Sequence, residues 1–191
     1  MNSLTRVSRI CVLALAVFVL ASAPLSRAQG QPDVITNTTI FVNFGDIKGE
    51  SQDETHTNWV EAIAYSDGFS HEPQAMARTG GRAPIDPIFF PVKIVKLIDA
   101  SSPKLREASV KGTHIPQVEI QFLRDGFLYL SVKLEEVLVA EVTSSMELPG
   151  AFREVVLLDF GAVEMTYTKQ KPDGTAGGTI TFKWSLAKGA Y

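Results

Sequence analysis

Short runs in which apolar and polar residues alternate recur along the chain from residue 40 onward. Alternation with a period of two is typical of β-strands that are buried on one face. The pattern predicts strands at residues 40–44, 59–65, 88–97, 118–123, 128–134, 137–142, 155–160, 163–168 and 179–186. Strands at this spacing indicate an antiparallel sandwich or barrel.

The clearest hairpin is predicted at Asp125 and Gly126, between two alternating runs. These residue types accept the positive φ angles of a two-residue turn. The predicted core face holds Val118, Ile120 and Phe122 before the turn and Leu128, Leu130, Val132 and Leu134 after it. Phe127 and Tyr129 are predicted to lie on the opposite face, where they either pair across strands or contact another subunit.

One helix is predicted at about residues 102–110, because Ser102 can cap it, Pro103 suits its first position and Gly112 can end it. Two segments rich in proline and glycine predict irregular structure. Residues 71–87 read as a long exposed loop, and residues 170–178 as a turn before the last strand.

The N-terminal segment has the pattern of a secretory signal peptide. Arg6 and Arg9 precede an uncharged apolar run at residues 10–21, which is too short to span a membrane as a helix. Ser26 and Ala28 suit the small-residue positions of a cleavage site, so cleavage is predicted after Ala28. The organisation expected is a signal peptide at 1–28, a flexible arm at 29–37 and one domain at 38–191, secreted or periplasmic and without a permanent membrane anchor.

Charge and cysteine content exclude several classes of protein. The formal net charge is -3, and loss of the three arginines of the signal segment would make it -6. Neither value supports binding to nucleic acid by bulk electrostatics. The single cysteine, Cys11, lies in the signal segment, so the mature chain is expected to have no disulfide, cysteine nucleophile or thiolate metal site.

The densest group of chemically active side chains is Asp53, Glu54 and His56. A solvated acidic turn is the preferred interpretation; a metal site and an exported hydrolase are the alternatives, although a metal would need further ligands. Glu135 and Glu136 are not interpreted as a pair of catalytic carboxylates, because adjacent strand residues point to opposite faces and cannot share one site. The pair is interpreted as a strand end. We therefore predict no catalytic, cofactor-binding or metal-binding residues, no cofactor and no enzyme activity.

Five strings, in this order along the chain, carry a resemblance to a known family. They are residues 47–51 (IKGES), followed by Asp53 and Trp59; residues 100–105 (ASSPKL); residues 114–116 (HIP); residues 129–135 (YLSVKLE); and residues 170–178 (QKPDGTAGG). With these strings the domain resembles the haemolysin-coregulated protein (Hcp) family of type VI secretion.

The resemblance implies a compact β-barrel of two sheets with one flanking helix and no catalytic residues. It also implies self-assembly into homohexameric rings that stack into a secretion tube and hold small protein effectors in the lumen. The long loop would mediate ring-to-ring contacts, with Met76, Arg78 and Arg82 docking on an acidic neighbour; the alternative is that these are solvated loop residues. Because the family's tube proteins lack a signal peptide, the alternative is a monomeric secreted β-barrel that serves as a binding module.

Overall fold

The computed structural model describes residues 37–71, 87–146 and 148–188. This part of the chain contains ten β-strands and one α-helix. In chain order they are β1 (Thr38–Asn43), β2 (Val60–Ser66), β3 (Phe69–Ser70), β4 (Ile88–Phe89), β5 (Val92–Leu97), α1 (Ser102–Lys111), β6 (His114–Arg124), β7 (Phe127–Met146), β8 (Phe152–Asp159), β9 (Ala162–Gln170) and β10 (Ala176–Ser185). Every strand predicted from the alternating pattern overlaps one of these.

Six of the strands close into a barrel. Their order is β7, β6, β1, β2, β5 and β8, and β8 pairs back onto β7. Neighbouring strands are antiparallel throughout the barrel. β9 and β10 extend the sheet beyond β7, and β3 and β4 form a second, two-stranded sheet. The predicted fold class, an all-β antiparallel barrel with one short helix, is confirmed.

The inward positions of the barrel strands form one hydrophobic core. Val42, Ile94, Ile120, Val132 and Val156, from five different strands, all have 0 % of their surface exposed. Each alternates along its strand with residues that face outward, as the period of two requires. Burial of this apolar surface is the main term that stabilises the barrel.

The hairpin turn lies where it was predicted. Asp125 and Gly126 have φ angles of 48° and 82°, and Arg124 pairs with Phe127 on either side of them. Positive φ at both central residues defines the turn whose twist matches that of two antiparallel strands. The choice of residues at this turn therefore sets where β6 ends and β7 begins.

A β-bulge at Tyr129 alters the faces predicted beyond this turn. Phe122 pairs with Leu130 but Leu123 pairs with Leu128, so Tyr129 has no partner of its own in the ladder. Tyr129 packs against the core, whereas Leu128 is 37 % exposed and lies beside polar side chains. The predicted faces of these two residues were wrong, because one inserted residue reverses the alternation on its side of the bulge.

The Glu135 and Glu136 pair lies inside a strand and does not end one. β7 pairs with β9 up to Glu135 and with β8 from Leu138 onward. At this change of partner Glu136 has a φ of 52°, and the Gly161 amide donates to the Glu135 carbonyl oxygen over 2.9 Å. The prediction of a strand end was wrong, because the change of partner lets one 20-residue strand continue through both glutamates.

The N-cap of helix α1 lies one residue before the predicted cap. Ser101 is the N-cap and Ser102 is the first helical residue, while Gly112 ends the helix with a φ of 62°. The predicted capping role of Ser102 was wrong, and the predicted end at Gly112 is confirmed. Leu105 and Ala108 are the helix residues that reach the hydrophobic core.

The Ser102 hydroxyl belongs to a buried ionic cluster that connects the helix to the barrel. Lys96 on β5 is fully buried and donates to Asp99 Oδ1 over 2.7 Å, to Ser102 Oγ over 2.8 Å and to the Leu97 carbonyl oxygen over 3.0 Å. Its ammonium nitrogen also lies 3.2 Å from Oε2 of the fully buried Glu154. Since an ammonium has three protons, the contact with Glu154 is coulombic and not a hydrogen bond.

Within the described ranges, none of the helical structure is long and apolar enough to cross a membrane.

Candidate assembly surface

Strands β9 and β10, here called the flap, leave an apolar face open to solvent. Cross-strand pairs place Tyr167 beside Ile180, Met165 beside Phe182 and Val163 beside Trp184 on this face. The residues nearest the barrel are covered, but Ile180 is 74 % exposed and Tyr167 and Phe182 are each 42 % exposed. An exposed apolar face of this size is typical of a contact with another molecule.

An aromatic groove adjoins the flap. Its lining includes Phe69, Phe89 and Phe90 from the β3 and β4 region, Phe160 between β8 and β9, and Phe182 on β10, around a cavity of about 230 Å³. Phe89 lies at the centre, with ring centroids 5.3 Å from Phe69 and 5.9 Å from Phe160. Phe69 and Phe90 are about half exposed. The groove therefore continues the apolar surface of the flap toward the barrel.

A second apolar surface, here called the outer wall, lies on the outside of β2, β5 and β8. It consists of Ile63, Val95, Leu97, Val155 and Leu157. The residues that alternate with them on β5 and β8 face inward and are buried, and Val95 pairs directly with Val155. Ile63 is 49 % and Leu97 45 % exposed. A strand that faces water normally carries polar residues outward, so these apolar positions indicate a covered face.

The comparisons with known proteins agree with the barrel and its elements. A family model described as type VI secretion system effector, Hcp, matches residues 41–167, which is more than half of the chain. The chain belongs to the Hcp family. Protein hcp1 of Pseudomonas aeruginosa is 33 % identical over 156 residues, covering 77 % of this chain and 94 % of that protein. The resemblance seen in the sequence is thereby confirmed.

Solved Hcp structures share the fold. The crystal structure of Hcp1 from Salmonella typhimurium aligns with a TM-score of 0.66 at 29 % identity, over 78 % of this chain and 95 % of that one. A structure described as a type six secretion system protein aligns with a TM-score of 0.71 at 24 % identity, over 79 % of this chain and 97 % of that one. The chain is thus a type VI secretion protein of the Hcp type.

In this Hcp family member the predicted acidic cluster is a structured loop. His56 is 4 % exposed, whereas Glu54 lies at the surface. His56 Nδ1 lies 2.7 Å from Asp53 Oδ1, and Nε2 lies 2.9 Å from Gln121 Oε1. The prediction of a solvated turn was therefore wrong for His56, which is buried. Both of its ring nitrogens face protein groups, so neither is directed at a bound metal or a substrate.

No described group of three or more His, Cys, Asp or Glu side chains has the arrangement of a metal site.

The predicted long loop and its Met76, Arg78 and Arg82 lie almost entirely outside the described residues, as do the signal segment and most of the arm. The turn at residues 170–178 is confirmed: Gly174 has a φ of 83° and the Lys171 amide donates to the Thr175 carbonyl oxygen over 2.9 Å.

The sequence analysis missed both apolar surfaces, although the strands contain a signal for them. Residues 155–158 are four apolar residues in succession, and β5 places Val95 between the inward-facing Ile94 and Lys96. A continuous apolar run in an antiparallel strand indicates that both faces are covered.

Proposed function

We propose that this Hcp family member is an exported structural subunit that assembles into homohexameric rings. The main observation that supports this proposal is that one chain presents two different apolar surfaces, the flap with its groove and the outer wall. A surface that recognises a different surface on the next copy makes a head-to-tail contact, which closes into a ring when the rotation permits. The number six comes from the family resemblance. Stacking of the rings and small protein effectors in the lumen are part of the same proposal.

The two surfaces include residues at opposite ends of β5, which supports a head-to-tail arrangement. The groove is lined in part by Val92, at the beginning of this strand, whereas Leu97 of the outer wall is its last residue. One copy can therefore use both surfaces at once, each against a different neighbour. A symmetric dimer would use one surface twice and leave the other exposed.

The ring contact is tested by placing a charge on each surface separately. Ile180→Arg on the flap and Leu97→Arg on the outer wall replace exposed side chains, so we expect the barrel to fold and the native mass of residues 29–191 to fall from a hexamer to a monomer. An unpaired charge buried in an interface costs several kcal/mol, enough to dissociate a micromolar complex (~8 kcal/mol). The matched control is Val110→Arg, at an 89 % exposed position on α1 outside both surfaces, which should remain hexameric.

Mixing the two variants distinguishes a head-to-tail ring from other assemblies. Each variant retains the surface that the other has lost, so one productive contact can form and no second one can follow. We expect a 1:1 dimer by native mass spectrometry and no larger species. A hexamer that survives both substitutions would contradict the assignment of the surfaces, and a monomeric wild-type barrel would favour the secreted binding module.

Export is tested by the N-terminus of the protein recovered after expression of the full chain in a Gram-negative host. We expect the periplasmic or extracellular protein to begin at Gln29, and a variant lacking residues 1–28 to remain in the cytoplasm. Intact mass measurement identifies the terminus. Recovery of the uncleaved chain from the cytoplasm, with none exported, would refute the signal peptide while leaving the ring proposal untouched.

A further inference from the structure

The apolar face of the flap ends in a lysine. Val163, Met165, Tyr167 and Lys169 alternate along β9, so they share one face of the strand. Val163 lies against the barrel and is buried, whereas Tyr167 and Lys169 are exposed. A molecule that covers this face of the flap therefore meets the Lys169 ammonium at its outer end.

The carboxylates of the flap are engaged elsewhere. Its ion pair, between Lys183 and Glu164 over 2.8 Å, lies on the opposite face of the strands. Asp173, in the turn between β9 and β10, accepts from the Thr175 amide over 3.0 Å and from the Thr175 hydroxyl over 2.7 Å. Within the described part of the chain, Lys169 therefore has no ion-pair partner.

The outer wall ends in a glutamate in the corresponding way. Glu61 and Ile63 are both exposed on β2, and together with Leu97 they line one pocket of about 310 Å³. Among the described residues, no hydrogen bond or ion pair engages the Glu61 carboxylate. A molecule that covers Ile63 and Leu97 therefore meets this negative charge.

The other two carboxylates that line this pocket already have partners. Asp99 binds the buried Lys96 over 2.7 Å. Glu50 Oε1 accepts from the Ala100 amide over 3.0 Å. Glu61 is thus the carboxylate of the pocket that is left for another molecule.

Two cations flank the outer wall without neutralising Glu61. Lys93 pairs with Leu157 at the other end of the wall. Arg153 lines a separate pocket beside the hairpin between β7 and β8. Neither forms an ion pair with Glu61 in the described ranges. The wall therefore has a negative charge beside Leu97 and a positive charge at its opposite end.

We propose that Lys169 of one copy pairs with Glu61 of the next copy, and that this pair sets the direction in which the flap lies on the outer wall. The pair belongs to the head-to-tail contact proposed above and rests on that proposal. An exposed ion pair adds little affinity, but it discriminates between alternative arrangements. In the reversed direction Lys169 would lie beside Lys93, and two like charges would be brought together.

The pair is tested by reversing each charge in residues 29–191. Lys169→Glu and Glu61→Lys should each raise the protein concentration needed for half-assembly about tenfold, because each brings like charges together. The double variant restores an opposite pair and should assemble close to the wild-type concentration. Sedimentation of a dilution series measures assembly. The matched control is Lys104→Glu, the same change of charge at a 66 % exposed side chain on α1, which should leave assembly unchanged.

The position of the pair is tested by cross-linking, because residues 29–191 contain no cysteine. Lys169→Cys and Glu61→Cys chains are expressed together and treated with a short bismaleimide. We expect a covalent dimer from the mixture and none from either variant alone. Lys104→Cys in place of Glu61→Cys is the control and should give no dimer.

The possible results separate this pair from the ring itself. Rings that tolerate either reversed charge, a double variant that stays impaired, or rings without the cross-link would overturn the pair and leave the ring standing. A wild-type protein that is monomeric would overturn both. Rescue in the double variant together with the cross-link would establish the pair.

Discussion

Lys96→Met is expected to destabilise the barrel by about 3–5 kcal/mol, because it removes the buried cation of an ion pair and leaves the buried Glu154 carboxylate with only the partly exposed Arg106 as counter-ion. Lys96 binds four groups: the Asp99 and Glu154 carboxylates, the Ser102 hydroxyl and the Leu97 carbonyl oxygen. Methionine fills a similar volume but donates no proton. Chemical denaturation, followed by circular dichroism at one protein concentration, measures the change.

The structure indicates that Glu154 is the carboxylate most affected by the loss of Lys96. Glu154 is fully buried and retains only Arg106, whose nitrogen lies 3.1 Å from Oε1, and the Ser144 hydroxyl. Its second oxygen, Oε2, faces Lys96 and no hydrogen-bond donor. Loss of Lys96 therefore leaves this buried carboxylate with one counter-ion, the partly exposed Arg106, and with Oε2 uncompensated.

Two further variants separate the charge effect from simple loss of packing. Lys96→Met combined with Glu154→Leu removes both charges, and we expect it to recover a large part of the lost stability, as replacement of a whole buried pair often does. Lys93→Met, an outward-facing exposed position on the same strand, should change the stability by less than about 0.5 kcal/mol. If the double variant were no more stable than Lys96→Met alone, the ionic explanation would be wrong.

Gly49→Ala is expected to destabilise the protein by about 3 kcal/mol through a direct clash with the backbone. A Cβ atom at this position would overlap the Trp59 carbonyl oxygen and would lie 2.8 Å from the Val60 Cα. The two backbone stretches cannot separate without breaking the loop hydrogen bonds from Gly49 to Asn58 and from Ser51 to Trp59. Thermal and chemical denaturation together measure the loss.

The matched control for this prediction is Gly178→Ala in the flap. A Cβ at Gly178 would have no atom within 4 Å, so this alanine should be close to neutral. Gly49→Ala with wild-type stability would show that the loop can move away from β2 at little cost.

The sequence by itself determined the strands, the hairpin turn, the end of the helix at Gly112 and the family. These features depend on interactions that are local along the chain. Alternation reports which face of a strand is buried, and Asp125 and Gly126 accept positive φ whatever surrounds them. Five ordered strings identified the family because each records a local requirement for a turn, a helix start or a strand.

Only the tertiary structure decided the bulge at Tyr129, the burial of His56 and the ionic cluster under α1. The last two depend on residues far apart in the sequence: Gln121 lies 65 positions from His56, and Lys96 meets Glu154 from another strand. The sequence around a polar residue in an alternating pattern does not indicate which partner will compensate the burial of that residue. That partner is chosen when the barrel closes, because closure brings distant strands into contact and removes their side chains from water.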